Sequence, residues 1–297
     1  MSGSTGRPPE VAVVGSINID LVTTVERHAL PGETILASDY TESLGGKGFN
    51  QAIAAAKRVP THLIGCVGDD AFGARAMQTA EGRGVSVTEV AHTDTPTGRA
   101  LIEVARGGEN RIVVAPLANH VLTAERVTAA LDRLRPVAVL TQLEIPLDTV
   151  EATASWCRAN DARFILNPSP VATLPPEILA VADPLIVNER EAEALLTVLP
   201  NAERVDVTDH AAAAEALRRV ARSVVITAGA KGATFTDEAD SGHSAGTRVE
   251  VVDTTGAGDE FAGTLLAALA TGETLGRATI LANTSAAVLV ATARSRR

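Results

Sequence analysis

Asp253-Thr254-Thr255-Gly256-Ala257-Gly258-Asp259-Glu260-Phe261 joins a small-residue turn to a carboxylate at the apparent start of a helix. Gly256 and Gly258 permit backbone conformations that a Cβ penalises. Their N–H groups can converge on one point just ahead of the helical run 261–270. Unpaired N–H groups and the positive end of the helix dipole favour phosphate-like charge at that point. Asp259 then stands beside the anion, placed to accept the proton of an attacking hydroxyl. This combination reads as phosphoryl transfer to an alcohol. An ordinary glycine turn with Asp259 as a helix cap uses the same residues.

A second glycine-rich helix start changes the weighing. Gly45-Gly46-Lys47-Gly48-Phe49-Asn50-Gln51 leads into the alanine-rich run 52–57, and two such starts suggest two halves of one cleft. The string Gly46-Lys47-Gly48 is no P-loop, which needs Gly-Lys followed by Ser or Thr and an earlier glycine at fixed spacing. What it offers is close backbone approach with the Asn50 amide and the Lys47 ammonium, a mixture suited to a polyhydroxylated ligand. A tight strand-to-helix connection with a solvated lysine is the plainer reading. Upstream, the apolar strand 11–15 is followed by Ser16-Ile17-Asn18-Ile19-Asp20. Ligands of open α/β sheets sit outside the carboxyl ends of strands, and alternation puts Asn18 and Asp20 on one face of an extended segment. An Asx turn explains the pair equally well. Glu144 likewise follows an apolar run, 137–143, where it either serves the site or caps the next helix.

These residues together resemble the ribokinase family of carbohydrate kinases, also called the PfkB family. The resemblance runs from about residue 11 to about residue 290. It includes Gln142-Leu143-Glu144, Asn167-Pro168-Ser169-Pro170, Asn188-Glu189-Arg190-Glu191-Ala192-Glu193 and Thr227-Ala228-Gly229-Ala230-Lys231-Gly232 beside the motifs above. Such a resemblance implies an ATP-dependent sugar kinase with Mg²⁺, acting on the 5-hydroxyl of D-ribose. Asp259 would be the general base and Gly256, Ala257 and Gly258 the anion hole. It nominates Asn18, Asp20, Gly46, Lys47, Gly48, Asn50 and Glu144 for the sugar. For the nucleotide it nominates Asn188, Thr227, Gly229, Lys231, Gly232, Gly258 and Asn283. Glu191 would hold magnesium through water, although an acidic helix start is the alternative, and Asn283 reads equally as a surface amide. A kinase for deoxyribose, fructose or a nucleoside keeps the same catalytic residues. A catalytically weak sugar-binding regulatory protein on the same fold is the alternative from another class.

Three departures from the family pattern bear on function. Phe49 is bulkier than the usual small residue and, near the pocket, would reshape it. Glu260 directly follows the base; facing the site, it would raise the pKa of Asp259 and repel ATP, whereas facing solvent it would only favour the helix start. Finally, Asp253 and Thr255 match the first half of a monovalent-cation site. The glycine and serine of the second half have no counterpart before Arg297, which counts against K⁺ activation. The expectation is a truncated chain or a nucleotide pocket closed another way.

Composition fits this reading. The 297 residues are 45% hydrophobic and 21% charged, enough for one large α/β domain or two small ones. A formal charge of −10 argues against a nucleic-acid surface. Cys66 and Cys157 lie far apart with no metal-like spacing, as expected of buried thiols in a reducing compartment. No run approaches the ~20 apolar residues that span a bilayer, and the amino terminus lacks a secretory segment, so a cytoplasmic protein without membrane contact is expected. Residues 1–9 read as a disordered tail, and 294–297 as solvated.

Periodicity gives strands near 11–15, 62–66, 137–141, 163–166, 184–187 and 223–227. Helices fall near 48–58, 71–83, 123–134, 147–159, 189–197, 210–220, 257–271 and 274–292. Such alternation predicts a single doubly wound domain with a mostly parallel sheet covered on both faces. Segments 33–44 and 97–115 alternate as half-exposed strands. By resemblance they form a small β lid over the sugar site, able to pair with a second copy's lid through Leu101, Ile112 and Val114; covering the sheet's own core is the simpler use of those residues.

Overall fold

The computed structural model describes residues 8–199 and 205–293. The tail expected at 1–9 lies, apart from its last two residues, outside the described residues, as do 294–297. Two sheets organise the chain.

The large sheet begins with β1 (Val11–Val14), β4 (Thr61–Gly68) and β5 (Val85–Thr93). It continues through β8 (Ala138–Thr141), β9 (Arg163–Leu166), β10 (Ala182–Asn188), β11 (Val224–Thr227), β12 (Gly232–Thr236) and β13 (Ser241–Ala245). The strand order is β13-β12-β11-β10-β9-β8-β1-β4-β5. All neighbours are parallel except β11–β12 and β12–β13. Burial on both faces explains the unbroken apolar strands. Along β1, Ala12 and Val14 enter one core while Val11 and Val13 enter the other. The first core is covered by α3 (Ala124–Leu134), α4 (Leu147–Ala159), α5 (Pro176–Leu179), α6 (Glu189–Val198) and α7 (His210–Arg218). The second is covered by α1 (Lys47–Ala56), α2 (Ala71–Gly82), α8 (Ala257–Ala270) and α9 (Leu275–Val290).

Three strands of this sheet escaped the reading for periodicity, and each has a local cause. In β5 only Val85 and Ala91 are buried, and Ser86, Thr88, Glu89 and His92 interrupt the apolar pattern. The edge strand β13, Ser-Gly-His-Ser-Ala, carries almost no apolar signal, and β12 is a five-residue return strand.

The small sheet has the order β3-β2-β6-β7, from β2 (Asn18–Val25), β3 (Asp39–Gly45), β6 (Gly98–Ala105) and β7 (Asn110–Ala115). β2 pairs antiparallel with β3 and parallel with β6, and β6 pairs antiparallel with β7. Residues 33–38 are not strand, and β2, read from sequence as the polar end of the first strand, is a central strand here. Only Gly15, Ser16 and Ile17 separate it from β1, so the chain crosses from one sheet to the other at the mouth of the cleft.

α1 and α8 approach most closely at Gly263. A Cβ on Gly263 would lie 2.3 Å from the Gln51 carbonyl oxygen and 2.6 Å from Ala54 Cβ. Only glycine permits that approach. Cys66 and Cys157 are buried free thiols, and burial pushes the Cys157 thiol up to about 12. Among the described residues no helix is long and apolar enough to cross a membrane.

Candidate active site

The strand order reverses at β1, with β4 and β5 on one side and β8 to β10 on the other. Ligands of doubly wound sheets bind at such a point, beyond the strand carboxyl ends. Ser16 and Asn18 follow β1, Gln142 and Glu144 follow β8, Asn167 follows β9, and all converge there with the start of α1.

Glu144 gathers the polar groups expected to meet a sugar. Its Oε2 accepts from Ser16 Oγ at 2.5 Å, from Lys47 N at 3.2 Å and from Asn18 Nδ2 at 3.4 Å. Asn18 is held in turn by Asn119, whose Nδ2 donates to Asn18 Oδ1 at 2.7 Å while its Oδ1 accepts from Ile17 N at 2.9 Å. Asp20 lies against Gly45, where a Cβ would stand 2.2 Å from Asp20 Oδ1. Gly46 is the N-cap of α1, and Lys47 and Gly48 open that helix. Sequence reasoning missed Ser16, Asn119, Gln142 and Gln51 as contributors, because isolated polar residues beside apolar runs carry no spacing signal.

Asp259 sits on the opposite wall, in the first turn of α8, half-buried. Asn50 Nδ2 donates to its Oδ2 at 3.1 Å and Gln51 Nε2 to its Oδ1 at 3.0 Å. Burial drives its pKa above the ordinary carboxylate value; the Lys47 charge and the two amide bonds pull against that, and Glu144 adds to the rise. Gly256, the N-cap, has φ 79°, a left-handed conformation that disfavours any side chain. Gly258 is different: it lies inside the helix with open space around its Cα, so its role is access, not conformation. The turn's donors also differ from the simplest picture. Ala257 N–H bonds Thr254 O at 3.2 Å, and the first intrahelical bond runs from Glu260 N to Gly256 O. Gly258 and Asp259 therefore present the N–H groups that precede helix closure.

Beyond that turn opens a cavity of about 550 Å³ whose wall includes Thr227, Gly229, Gly232, Ala257, Gly258 and Asn283. Asn283 is no surface amide: its Nδ2 donates to Ser244 O and Ser244 Oγ at 3.0 and 2.8 Å. Lys231 is outside the wall, pairing with Glu189 at 3.1 Å. Arg248 is the charged residue of the wall, in a loop without periodicity that sequence reasoning passed over. Asn188 and Glu191 form a reciprocal cap of α6: Glu191 N donates to Asn188 Oδ1 and Asn188 N to Glu191 Oε2, both at 2.9 Å. Glu191 is 8% exposed, and its other carboxylate oxygen is not used by the cap. Asp253 Oδ1 accepts from Thr255 N at 2.8 Å. Among the described residues no cluster of three His, Cys, Asp or Glu side chains is arranged to hold a metal.

The two side chains that depart from the family pattern are both buried. Phe49 is 3% exposed in the helical core. Glu260 is 5% exposed and receives Lys57 Nζ and Ser285 Oγ, both at 2.6 Å. Both line a second cavity of about 540 Å³, whose wall also includes Asn50, Gly256 and Ser285.

A model described as "pfkB family carbohydrate kinase" matches residues 8–296. The ribokinase of Bacillus subtilis is 35% identical over 94% of this chain and 92% of its own. The crystal structure of a ribokinase from Thermotoga maritima superposes with TM-score 0.86 at 33% identity, covering 96% of this chain and 93% of that one. A ribokinase from Arabidopsis thaliana complexed with ribose and ATP superposes with TM-score 0.83 at 28% identity, covering 96% and 94%. On a match that spans nearly every described residue, the chain belongs to the pfkB family of carbohydrate kinases.

Proposed function

We propose that this carbohydrate kinase transfers the γ-phosphoryl of ATP to the 5-hydroxyl of D-ribose, with Asp259 as general base. The observation that carries the reading is the position of Asp259: a half-buried carboxylate tied through Asn50 and Gln51 to the helix that begins at Lys47, in a turn that lines the large cavity. Similarity to a ribokinase complexed with ribose and ATP supports the choice of both substrates.

An alcohol is a poor nucleophile at neutral pH, and a positioned base contributes about 10²–10⁴-fold. Asn18, Asp20, Gly46, Lys47, Gly48 and Glu144 bind and orient the sugar so that its hydroxyl donates to Asp259. ATP enters from the cavity side, between Thr227, Gly229, Gly232 and Asn283. The N–H groups of Gly258 and Asp259 meet the phosphoryl oxygens where charge accumulates, with Gly256 setting the turn. Glu191, through its unused oxygen and water, and Asn188 beside it would hold the magnesium, which supplies charge neutralisation on the phosphates. Asp253 and Thr255 offer half a monovalent-cation site.

The exposed apolar side chains of the small sheet, Leu101, Ile112 and Val114, support a role as a lid that packs against a second copy's lid. Two buried free thiols and an ATP substrate support a cytoplasmic enzyme.

The test is magnesium-dependent ADP formation with D-ribose, deoxyribose, fructose and nucleosides, beside Asp259→Asn. Ribose-dependent turnover lost in the variant is the expected result. Turnover with a different acceptor alone would move the substrate, and sugar binding without turnover would replace the enzyme reading with a regulatory one.

A further inference from the structure

Gln51 is fully buried on α1, next to Asn50, and its side chain has three partners. Its Nε2 donates to Asp259 Oδ1 at 3.0 Å and to Asn167 Oδ1 at 3.3 Å, and its Oε1 accepts from Gln142 Nε2 at 2.5 Å. An amide can offer a carboxylate either its N–H or its oxygen, with opposite effects. Here the choice is forced. Asn167 must present oxygen, because its Nδ2 is spent on the Ile186 carbonyl at 3.1 Å. Gln142 must present N–H, because Gln51 turned about would set two carbonyl oxygens face to face. Gln142 is itself fully buried, and its own Oε1 has no partner; it packs over Gly15, where a Cβ would stand 2.1 Å away. A buried carbonyl left unsatisfied is unusual. The arrangement gives up that bond and keeps the one to Gln51.

We infer that Gln51, wedged between Gln142 and Asn167, is a positioning residue for the general base, holding the Asp259 carboxylate in the orientation that accepts the sugar proton. The inference rests on the reading of Asp259 as base. Asn50 secures Oδ2 and Gln51 secures Oδ1, so the carboxylate cannot rotate about its axis without breaking both bonds. The charged groups acting on Asp259 are Lys47 from α1 and Glu144 from beyond β8, which oppose each other. Lys47 acts more strongly than Glu144, and the two amide bonds add to it in keeping the half-buried carboxylate ionised.

The test compares the acid limb of the kcat/KM profile for the sugar in the wild type, Gln51→Met and Gln142→Leu, with Asp259→Asn as reference. Gln51→Met removes the donor at nearly constant volume. Its acid limb should move up by about one pH unit, since a hydrogen bond to the charged form is lost, while KM for ATP stays unchanged. Gln142→Leu removes only the lock on Gln51, so the limb should move the same way by less. Lowered thermal stability with an unmoved limb in both variants would reduce Gln51 to a structural residue and overturn the inference. Where Gln51→Met does not fold, the Gln142→Leu limb decides by the same criterion. Undiminished turnover by Asp259→Asn would instead overturn the base. An inactive Asp259→Asn beside unmoved limbs would overturn the positioning role alone.

Discussion

Lys57 Nζ lies 2.6 Å from Glu260 Oε2, so the acid directly after Asp259 turns away from it and is neutralised across the α1–α8 contact. Consecutive helical residues point about 100° apart, which lets one carboxylate face the cleft and the next face a separate cavity. Because Glu260 is 5% exposed while Lys57 is 46% exposed, the carboxylate depends on this partner more than the ammonium does. Lys57→Met should destabilise the fold by roughly 1–3 kcal/mol through a buried charge left with Ser285 alone. Denaturant titration checks this, and the double variant Lys57→Met/Glu260→Met should recover part of the loss.

Burial makes Asp259 a stability liability. Its folded pKa lies above that of the unfolded chain, so the folded state holds the proton more tightly, and stability falls as pH rises from the ordinary carboxylate range through the folded value. Asp259→Asn should therefore raise Tm at neutral pH while abolishing turnover, and the Tm difference should shrink as the pH is lowered. Calorimetry across pH gives the sign; a variant less stable than the wild type at neutral pH would contradict it.

Glu191 caps α6, and its proposed magnesium duty can be separated from that role. Glu191→Gln keeps an oxygen for the Asn188 N–H and should leave Tm nearly unchanged. If its carboxylate holds hydrated magnesium, the same change should raise the Mg²⁺ concentration for half-maximal turnover by about tenfold. Asn188→Ala, by contrast, should cost about 1 kcal/mol as a lost cap.

Asn283 ties α9 to the edge strand β13 through Ser244 and stands in the cavity wall. Asn283→Ala should lower stability by about 1 kcal/mol and raise KM for ATP several-fold, with KM for the sugar unmoved. Initial-rate kinetics with each substrate varied in turn would show the split.

Ile112 and Leu101 are about half exposed on the small sheet. A dimer through this face predicts that Ile112→Asp yields a monomer by light scattering, whereas an unchanged mass would remove the lid from the interface.

The legible part of the fold was the part with strong periodicity. Among the described residues, the eight long helices, from α1 to α9 with α5 excepted, lie within a few residues of where apolar spacing sets them, because each must bury one face on the sheet. Edge strands β5 and β13 were hidden, since half-exposed strands carry polar residues freely. In the site, glycine turns and terminal carboxylates stood out, while Ser16, Gln51, Asn119 and Gln142 did not. Their work is to hold other side chains, and that is visible only when residues as far apart as 51 and 259 are brought within hydrogen-bond reach.

Gly263 presses α8 onto the backbone of α1, and these two helices begin, respectively, at the proposed base and at the proposed sugar loop. With the backbones in contact at Gly263 and Asn50 and Gln51 bonded to Asp259, the gap from acceptor to proposed base behaves as a fixed ruler. A lineage adapting this scaffold to a longer or shorter acceptor could not stretch that ruler by point substitution. Its room for change would lie in the strands of the small sheet, so a new sugar would be accommodated from above while the chemistry below stayed the same length.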